Sequence, residues 1–159
     1  MTVRVCSVGK IKEKFYREAL SEYGKRLLAY CKLEMIEVSD EKTKEGCTQA
    51  EERLILEKEG RRLLEKIPEK SYVIVLAIQG EEWDSVLFAE KLEKLFLCGK
   101  SDITFVIGGS LGLSKEVYQR ADCRLSFSRM TFPHQLMRVI LLEQIYRAFR
   151  IQAGEPYHK

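Results

Sequence analysis

Four short stretches of this 159-residue chain combine residue types suited to chemistry. Ile107-Gly108-Gly109-Ser110-Leu111-Gly112-Leu113 sets glycines at the end of an apolar run, where the backbone can turn through positive φ or approach a ligand closely. Gly80 closes a second such run, Leu76-Ala77-Ile78-Gln79-Gly80. Phe127-Ser128-Arg129-Met130-Thr131-Phe132-Pro133-His134 crowds hydroxyls, a guanidinium, aromatic rings and an imidazole into one segment. The chain closes on Gly154-Glu155-Pro156-Tyr157-His158-Lys159, a stiffened, stacking, proton-accepting composition where chain ends are usually indifferent. Tyr157 and His158 are candidates for proton handling or base stacking, and Arg129 for orienting a substrate.

The same stretches exclude several common chemistries. No register supplies the Gly-x-x-x-x-Gly-Lys-Ser/Thr of a phosphate cradle. The dinucleotide fingerprint Gly-x-Gly-x-x-Gly fails because Ser110 stands two residues after Gly108. Ser110 lies in Gly-Gly-Ser-Leu-Gly, but no orderly Asp and His follow it as a hydrolase nucleophile requires. Five scattered cysteines without a Cys-x-x-Cys, and only two histidines, argue against a metal site. What remains is a neutral, backbone-lined slot, suited to an adenosine-type ligand rather than a triphosphate.

The elements that would position these stretches alternate. Thr2–Val8, Leu33–Val38, Tyr72–Ile78, Ile103–Ile107 and Cys123–Phe127 read as strands. Helical spacing covers Glu13–Tyr30, Thr48–Ile67 and a segment from Asp84 or Ser85 to Cys98. A short helix follows Ser114, and a last one runs from Pro133 to about Phe149. Thr48 with Glu51 forms a capping-box pattern. Regular alternation predicts an α/β fold: a mostly parallel sheet with helices on both faces, in one domain over residues 1–159. Ligands on such sheets bind outside the carboxyl ends of the strands, where the glycine and 127–132 stretches fall.

The last helix is apolar on nearly every side, through Leu136, Met137, Val139, Ile140, Leu141, Leu142, Ile145, Tyr146, Ala148 and Phe149. A helix without a wet face needs cover on more than one side. The sheet supplies one cover; a second copy of the chain is the expected other, with Leu142 and Ile145 expected in that interface. The net charge of +3 hides a pattern: residues 1–32 carry +5, residues 33–122 carry −6, and residues 123–159 carry +4. If the fold joins the two basic ends, they form a surface for a polyanion such as RNA. Lys10, Lys12, Lys14, Arg17, His134, Arg138, Arg150 and Lys159 are its candidate contacts. No apolar run approaches the roughly 20 residues that span a bilayer. The start lacks a signal-peptide plan, so no membrane and a cytoplasmic location are expected.

Taken together, Ile-Gly-Gly-Ser-Leu-Gly-Leu, the run from Leu125 to Ala148, and Gly-Glu-Pro-Tyr-His-Lys resemble one family. It is the small bacterial SPOUT-class methyltransferases that modify N3 of a pseudouridine in 23S ribosomal RNA. The resemblance extends from Cys6-Ser7-Val8-Gly9-Lys10 to the last residue. It departs at Glu81, where relatives often carry Lys after the glycine. The resemblance implies a C-terminal trefoil knot, a homodimer whose site is completed near the partner, and S-adenosylmethionine as methyl donor without a metal. It implies donor contacts from Leu76, Gly108, Phe127, Ser128, Arg129, Met130, Thr131 and Phe132. The implied substrate is an intersubunit-bridge hairpin of 23S RNA, on the assembled 70S ribosome. Two alternatives stay open: a non-catalytic RNA-binding assembly factor, which would not bind the donor, and a transfer-RNA methyltransferase of the same class, separable by which RNA accepts the methyl group. Gly108→Val is expected to block the donor while leaving its strand formed.

Overall fold

A computed structural model describes residues 1–159. The strands are β1 (Thr2–Val8), β2 (Lys32–Val38), β3 (Tyr72–Glu82), β4 (Asp102–Ile107) and β5 (Cys123–Ser126). The helices are α1 (Lys14–Leu27), α2 (Gln49–Leu64), α3 (Ser85–Leu97), α4 (Lys115–Arg120) and α5 (His134–Gln152). The strands form one sheet in the order β2-β1-β4-β3-β5, and every pairing is parallel. Parallel strands buried on both faces read as near-continuous apolar runs, as β4 does after Asp102; β1 is equally buried but carries Arg4 and Ser7 among its apolar residues.

Local chemistry sets the helix starts. Thr48 accepts from the Glu51 amide at 3.3 Å and its own amide donates to the Glu51 carboxylate at 2.7 Å, completing the expected capping box. Asp84, rather than Ser85, caps α3 by accepting from the Leu87 amide. Ser114 caps α4, and Pro133 sits immediately before α5.

Two cores result. On one face, α1, α3 and α5 enclose Leu27, Phe88, Leu92, Leu141, Leu142, Ile145 and Phe149 against Val3, Val5, Ile74 and Phe105 of the sheet. On the other, α2 and α4 bring Leu63, Ile67 and Val117 onto Cys6, Val8, Val73 and Val106. The helix-face expectation therefore needs correction in detail. Leu142 and Ile145 are fully buried within one chain, so they belong to the core and not to an interface. Of the half-exposed apolar residues of α5, Met137, Tyr146 and Ile151 pack against this core, whereas Leu136, Val139 and Ile140 do not.

β3 runs past the predicted Ile78 to Glu82, because it meets β5 twice. Leu76 and later Glu81 both pair with Leu125, with the intervening residues bulged out. Gly80 makes the second meeting possible: a Cβ there would lie 2.7 Å from the backbone of Arg124. Arg138, in the second turn of α5, is also fully buried. Its guanidinium donates to the carbonyls of Val8 and Gly9 at 2.8 Å each and pairs with Glu37 at 2.9 Å.

Because Ile145 is enclosed by its own chain, Ile145→Ala should leave a cavity and lower the unfolding free energy by about 2–5 kcal/mol. Urea denaturation checks this; an interface residue would instead show a loss that depends on protein concentration.

Candidate active site

At the carboxyl ends of β3, β4 and β5 lies a cavity of about 590 Å³, within the size range of small-molecule sites. Leu76–Gln79, Ile107–Leu113 and the segment after β5 line it. Of the expected donor-contact residues, Leu76, Gly108, Phe127, Ser128, Met130, Thr131 and Phe132 are on its wall, joined by His134 and Met137 of α5. Arg129 is not. Its side chain is 91% exposed, with Nε 3.5 Å from the Glu82 carboxylate, so within one chain it touches nothing in the cavity. The wall carries no Asp, Glu or Lys; its ionisable groups are Tyr118, Arg124 and His134. Aliphatic and aromatic walls with exposed loop backbone suit a largely neutral, aromatic ligand of nucleoside size.

The glycines act differently from the expectation that they free the backbone for a ligand. Of Gly80, Gly108, Gly109 and Gly112, only Gly112 has positive φ, +91°. The 109–112 turn closes on itself through a Gly112 amide to Gly109 carbonyl bond of 3.1 Å. A Cβ on Gly108 would stand 2.4 Å from the Gly112 carbonyl oxygen. Gly108 is required by the loop's contact with itself. Gly108→Val would therefore force the loop open and not merely fill ligand space.

Behind the loop stands a residue that the sequence reading missed. Glu59 of α2 is 5% exposed, and a Cβ added to Gly109 would lie 3.0 Å from its carboxylate oxygen. Next to it, Gly60 lets α2 press on Ser114, whose Oγ would be 2.2 Å from an added Cβ. Consecutive residues of α2 thus brace both ends of the 108–114 loop. The available signal was an isolated glycine inside a helix, which ordinarily has a packing reason. Burial first, then the nearby Asp40 and Glu41 carboxylates against the opposing pull of Arg62, pushes the Glu59 carboxyl up to about 7.

The other candidates divide. Lys10 and Lys12 are exposed on the connection into α1, and Lys14 and Arg17 on its first turn. The connection is tacked to the start of α5 by the Lys12 amide donating to Gln135 at 3.1 Å, and Arg17 donates back to the carbonyls of Ile11 and Lys12. Lys12 therefore lies beside the turn that carries His134. His134 is half-buried, and burial together with the Arg138 charge lowers its pKa, favouring neutral imidazole. Arg138 is enclosed as described, so the phosphate contact expected of it gives way to a structural one. Arg150 is committed as well, ion-paired with Glu155 and donating to Tyr30 at 3.4 Å. Lys159 is exposed.

Tyr157 and His158 do not reach the cavity of their own chain. The Tyr157 hydroxyl donates to Glu143 at 2.9 Å, its ring meets Tyr146 edge-on at 5.0 Å, and the Arg147 guanidinium lies 4.6 Å from its centroid. His158 Nδ1 is 3.4 Å from Arg147. Glu143 and Arg147 follow the cavity residue Met137 by roughly 9–15 Å along α5, at about 1.5 Å per residue. Burial, then the bond to Glu143, raises the Tyr157 pKa.

Because the Glu59 carboxyl is raised above its unfolded value of 4.5, the folded chain holds a proton that the unfolded chain releases. Its contribution to stability is complete below about pH 4.5 and falls as pH climbs through about 7, by on the order of 3 kcal/mol. Glu59→Gln should remove that slope and be the more stable protein at pH 8, as urea titrations of both proteins at pH 5 and pH 8 would register. Parallel slopes would reject it.

Comparison with known proteins agrees with this geometry. The family described as "Predicted SPOUT methyltransferase" matches residues 1–158. The ribosomal RNA large subunit methyltransferase H of Clostridium botulinum (strain Kyoto) is 57% identical over 159 residues, covering 100% of both chains. The ribosomal RNA large subunit methyltransferase H 1 of Clostridium perfringens (strain SM101) is 56% identical over the same length, again covering 100% of both. Among solved structures, the tRNA (m1G37) methyltransferase of Aquifex aeolicus aligns with a TM-score of 0.54 at 14% identity, over 92% of this chain and 70% of that one. A Legionella pneumophila methyltransferase structure, in complex with the bound cofactor SAM, aligns with a TM-score of 0.50 at 12% identity, over 94% and 66%. A full-length family match, close full-length relatives and a shared fold place this chain in the SPOUT methyltransferase family.

Proposed function

We propose that this chain, as one domain over residues 1–159, transfers the methyl group of S-adenosylmethionine to N3 of a pseudouridine in 23S ribosomal RNA. It acts as a cytoplasmic homodimer on the assembled 70S ribosome. One observation carries the reading most: the segments 76–79, 107–113 and, except for Arg129, 127–132 line a single cavity in a chain with full-length relatives bearing ribosomal RNA methyltransferase names. That 76–79 and the segment after β5 border the same cavity is compatible with the knotted C-terminal segment the family resemblance implies.

The cavity's chemistry fits the donor. Leu76, Phe127, Met130 and Phe132 offer apolar surface for an adenine ring, and the glycine loop offers main-chain groups for its edge and ribose. When bound, S-adenosylmethionine supplies an electrophilic sulfonium methyl. The residues of the chain then position the acceptor and remove its proton. An imide nitrogen is a poor nucleophile until that proton leaves. His134 lies in the cavity wall with its neutral form favoured, placed to accept a proton. Tyr157 and His158 can take the same part only across an interface, because their own cavity lies beyond their reach. The half-exposed Leu136, Val139 and Ile140 on α5 give that interface an apolar face. The exposed Lys10, Lys12, Lys14 and Arg17 supply phosphate contacts beside the cavity, and Lys159 adds charge to the tail.

Labelled donor mixed with 70S ribosomes, separated subunits and naked RNA identifies the acceptor; methylation of transfer RNA alone would overturn the reading. Deleting Glu155–Lys159 would also remove the Glu155 pairing with Arg150 and Tyr30, so His158→Ala is the cleaner variant. It should lower methyl transfer on the order of a hundredfold while S-adenosylmethionine affinity, read by calorimetry, stays within about tenfold. A wild-type rate would make the tail dispensable. Light scattering that finds an active monomer would remove the trans-acting tail.

A further inference from the structure

A second concavity, of about 660 Å³, opens along the free edge of β5 between α3 and α4. It adjoins the cavity described above, since Gln79, Tyr118 and Arg124 line both. Its lining pairs aromatic rings with cations. Lys91 Nζ sits 4.7 Å from the Trp83 centroid, and the Arg124 guanidinium sits 4.8 Å from the Tyr118 centroid.

The charges in it are unequally committed. Glu81 accepts from Trp83 Nε1 at 2.9 Å and from Lys91 at 3.2 Å. Asp122 accepts from the Val73 amide at 2.8 Å and pairs with Arg120 at 3.5 Å. Both carboxylates are thereby neutralised by the chain's own groups. Lys94 and Arg124 have no carboxylate within ion-pair distance, and both are exposed. A groove with half-buried rings and two uncompensated cations is built for a strand that presents flat bases and phosphates in alternation.

We propose that this groove binds the single-stranded RNA flanking the target nucleotide, with a base against Trp83 and the backbone phosphates on Lys94 and Arg124. The proposal rests on the RNA reading above and adds a path. The target base enters the inner cavity past Gln79 and Tyr118, and its neighbours stay outside along β5. A base undergoing chemistry has to leave its stack, and the groove gives its unstacked neighbours a surface that reads shape and charge rather than sequence. Glu81, where family resemblance leads one to expect Lys, is accounted for here as the group that holds Trp83 and Lys91 together at the groove's rim.

The chain has a single tryptophan, so intrinsic tryptophan fluorescence reports this groove alone. A six-residue oligouridylate should quench Trp83 saturably, equally well with S-adenosylmethionine bound, and more weakly as salt rises. Lys94→Glu should weaken that quench at least tenfold and raise KM for the RNA substrate without changing kcat or donor affinity. Lys94→Gln should lie between the two. Oligouridylate binding seen by anisotropy with no change in tryptophan emission would place the RNA elsewhere and overturn the groove while leaving the RNA reading intact. Absence of both RNA binding and RNA methylation would instead reject the reading on which the groove rests. Quenching by an acidic peptide in preference to oligouridylate would overturn it in favour of a protein partner.

Discussion

A buried guanidinium organises the functional end of this fold. A charge removed from water is tolerated only where its donors are satisfied, and Arg138 finds those partners on two strands outside its own helix. The carbonyls of Val8 and Gly9 end β1, the Glu37 carboxylate stands on β2, and Arg138 itself belongs to the second turn of α5. The start of α5 is thereby fixed against the carboxyl edge of the sheet. Much follows from that fixation. His134, one turn earlier, is held in the cavity wall, where burial first and then the Arg138 charge favour its neutral form. The basic connection after β1 is held alongside, tied to Gln135 of the same turn. Arg138 Nε alone lacks a partner, a cost the arrangement carries for joining three elements at one point.

A second constraint is steric. Gly80 meets the backbone of Arg124, Gly108 meets the backbone of Gly112, and Gly60 meets Ser114. At each place two backbones, or a backbone and a capping hydroxyl, come closer than any Cβ allows. Together these approaches let the ends of β3, β4 and β5 and the braced loop close around one cavity instead of standing apart. The cavity is therefore a consequence of chain-to-chain contact, and its shape depends on residues, such as Glu59 and Gly60, that face away from it.

Much of this was legible in the residues. The alternation of strands and helices, the Thr48–Glu51 box, the Ser114 cap and the helix start after Pro133 are local signals, and the structure keeps them. The three stretches at strand ends line one cavity because strand ends of a parallel sheet converge, whereas the tail picked for its chemistry lies away from it. What was not legible is long-range. Arg138 reads from sequence as one more basic residue of a positive C-terminal region; only the return of α5 to the end of β1 turns it into a buried strut. Leu142 and Ile145 share the apolar character of Val139 and Ile140, and one helix gives no sign of which stripe the sheet will take. Arg150 became an internal partner through Glu155 and Tyr30, which lies 120 residues away in sequence. The extension of β3 beyond Ile78 depends on a second pairing with Leu125 that no periodicity encodes.

The tail brings these constraints together. Within one chain Tyr157 and His158 are held on the second half of α5 by Glu143, Arg147 and Tyr146, and Arg138 prevents α5 from sliding to bring them to the cavity. Tyr157 cannot shift without breaking its hydrogen bond to Glu143 and its edge-on contact with Tyr146, and His158 follows it directly in the chain. A tail of that composition, fixed at that distance, serves its own cavity poorly and is well placed to serve another. The half-exposed apolar residues between Leu136 and Ile140 lie on the helix that carries the tail and opens the cavity. If a second copy covers that stripe, the same contact that buries it also sets each tail near the facing cavity. Under the proposed function, cover for α5 and completion of the site are then one requirement, and the rigidity imposed by Arg138 is what makes them so.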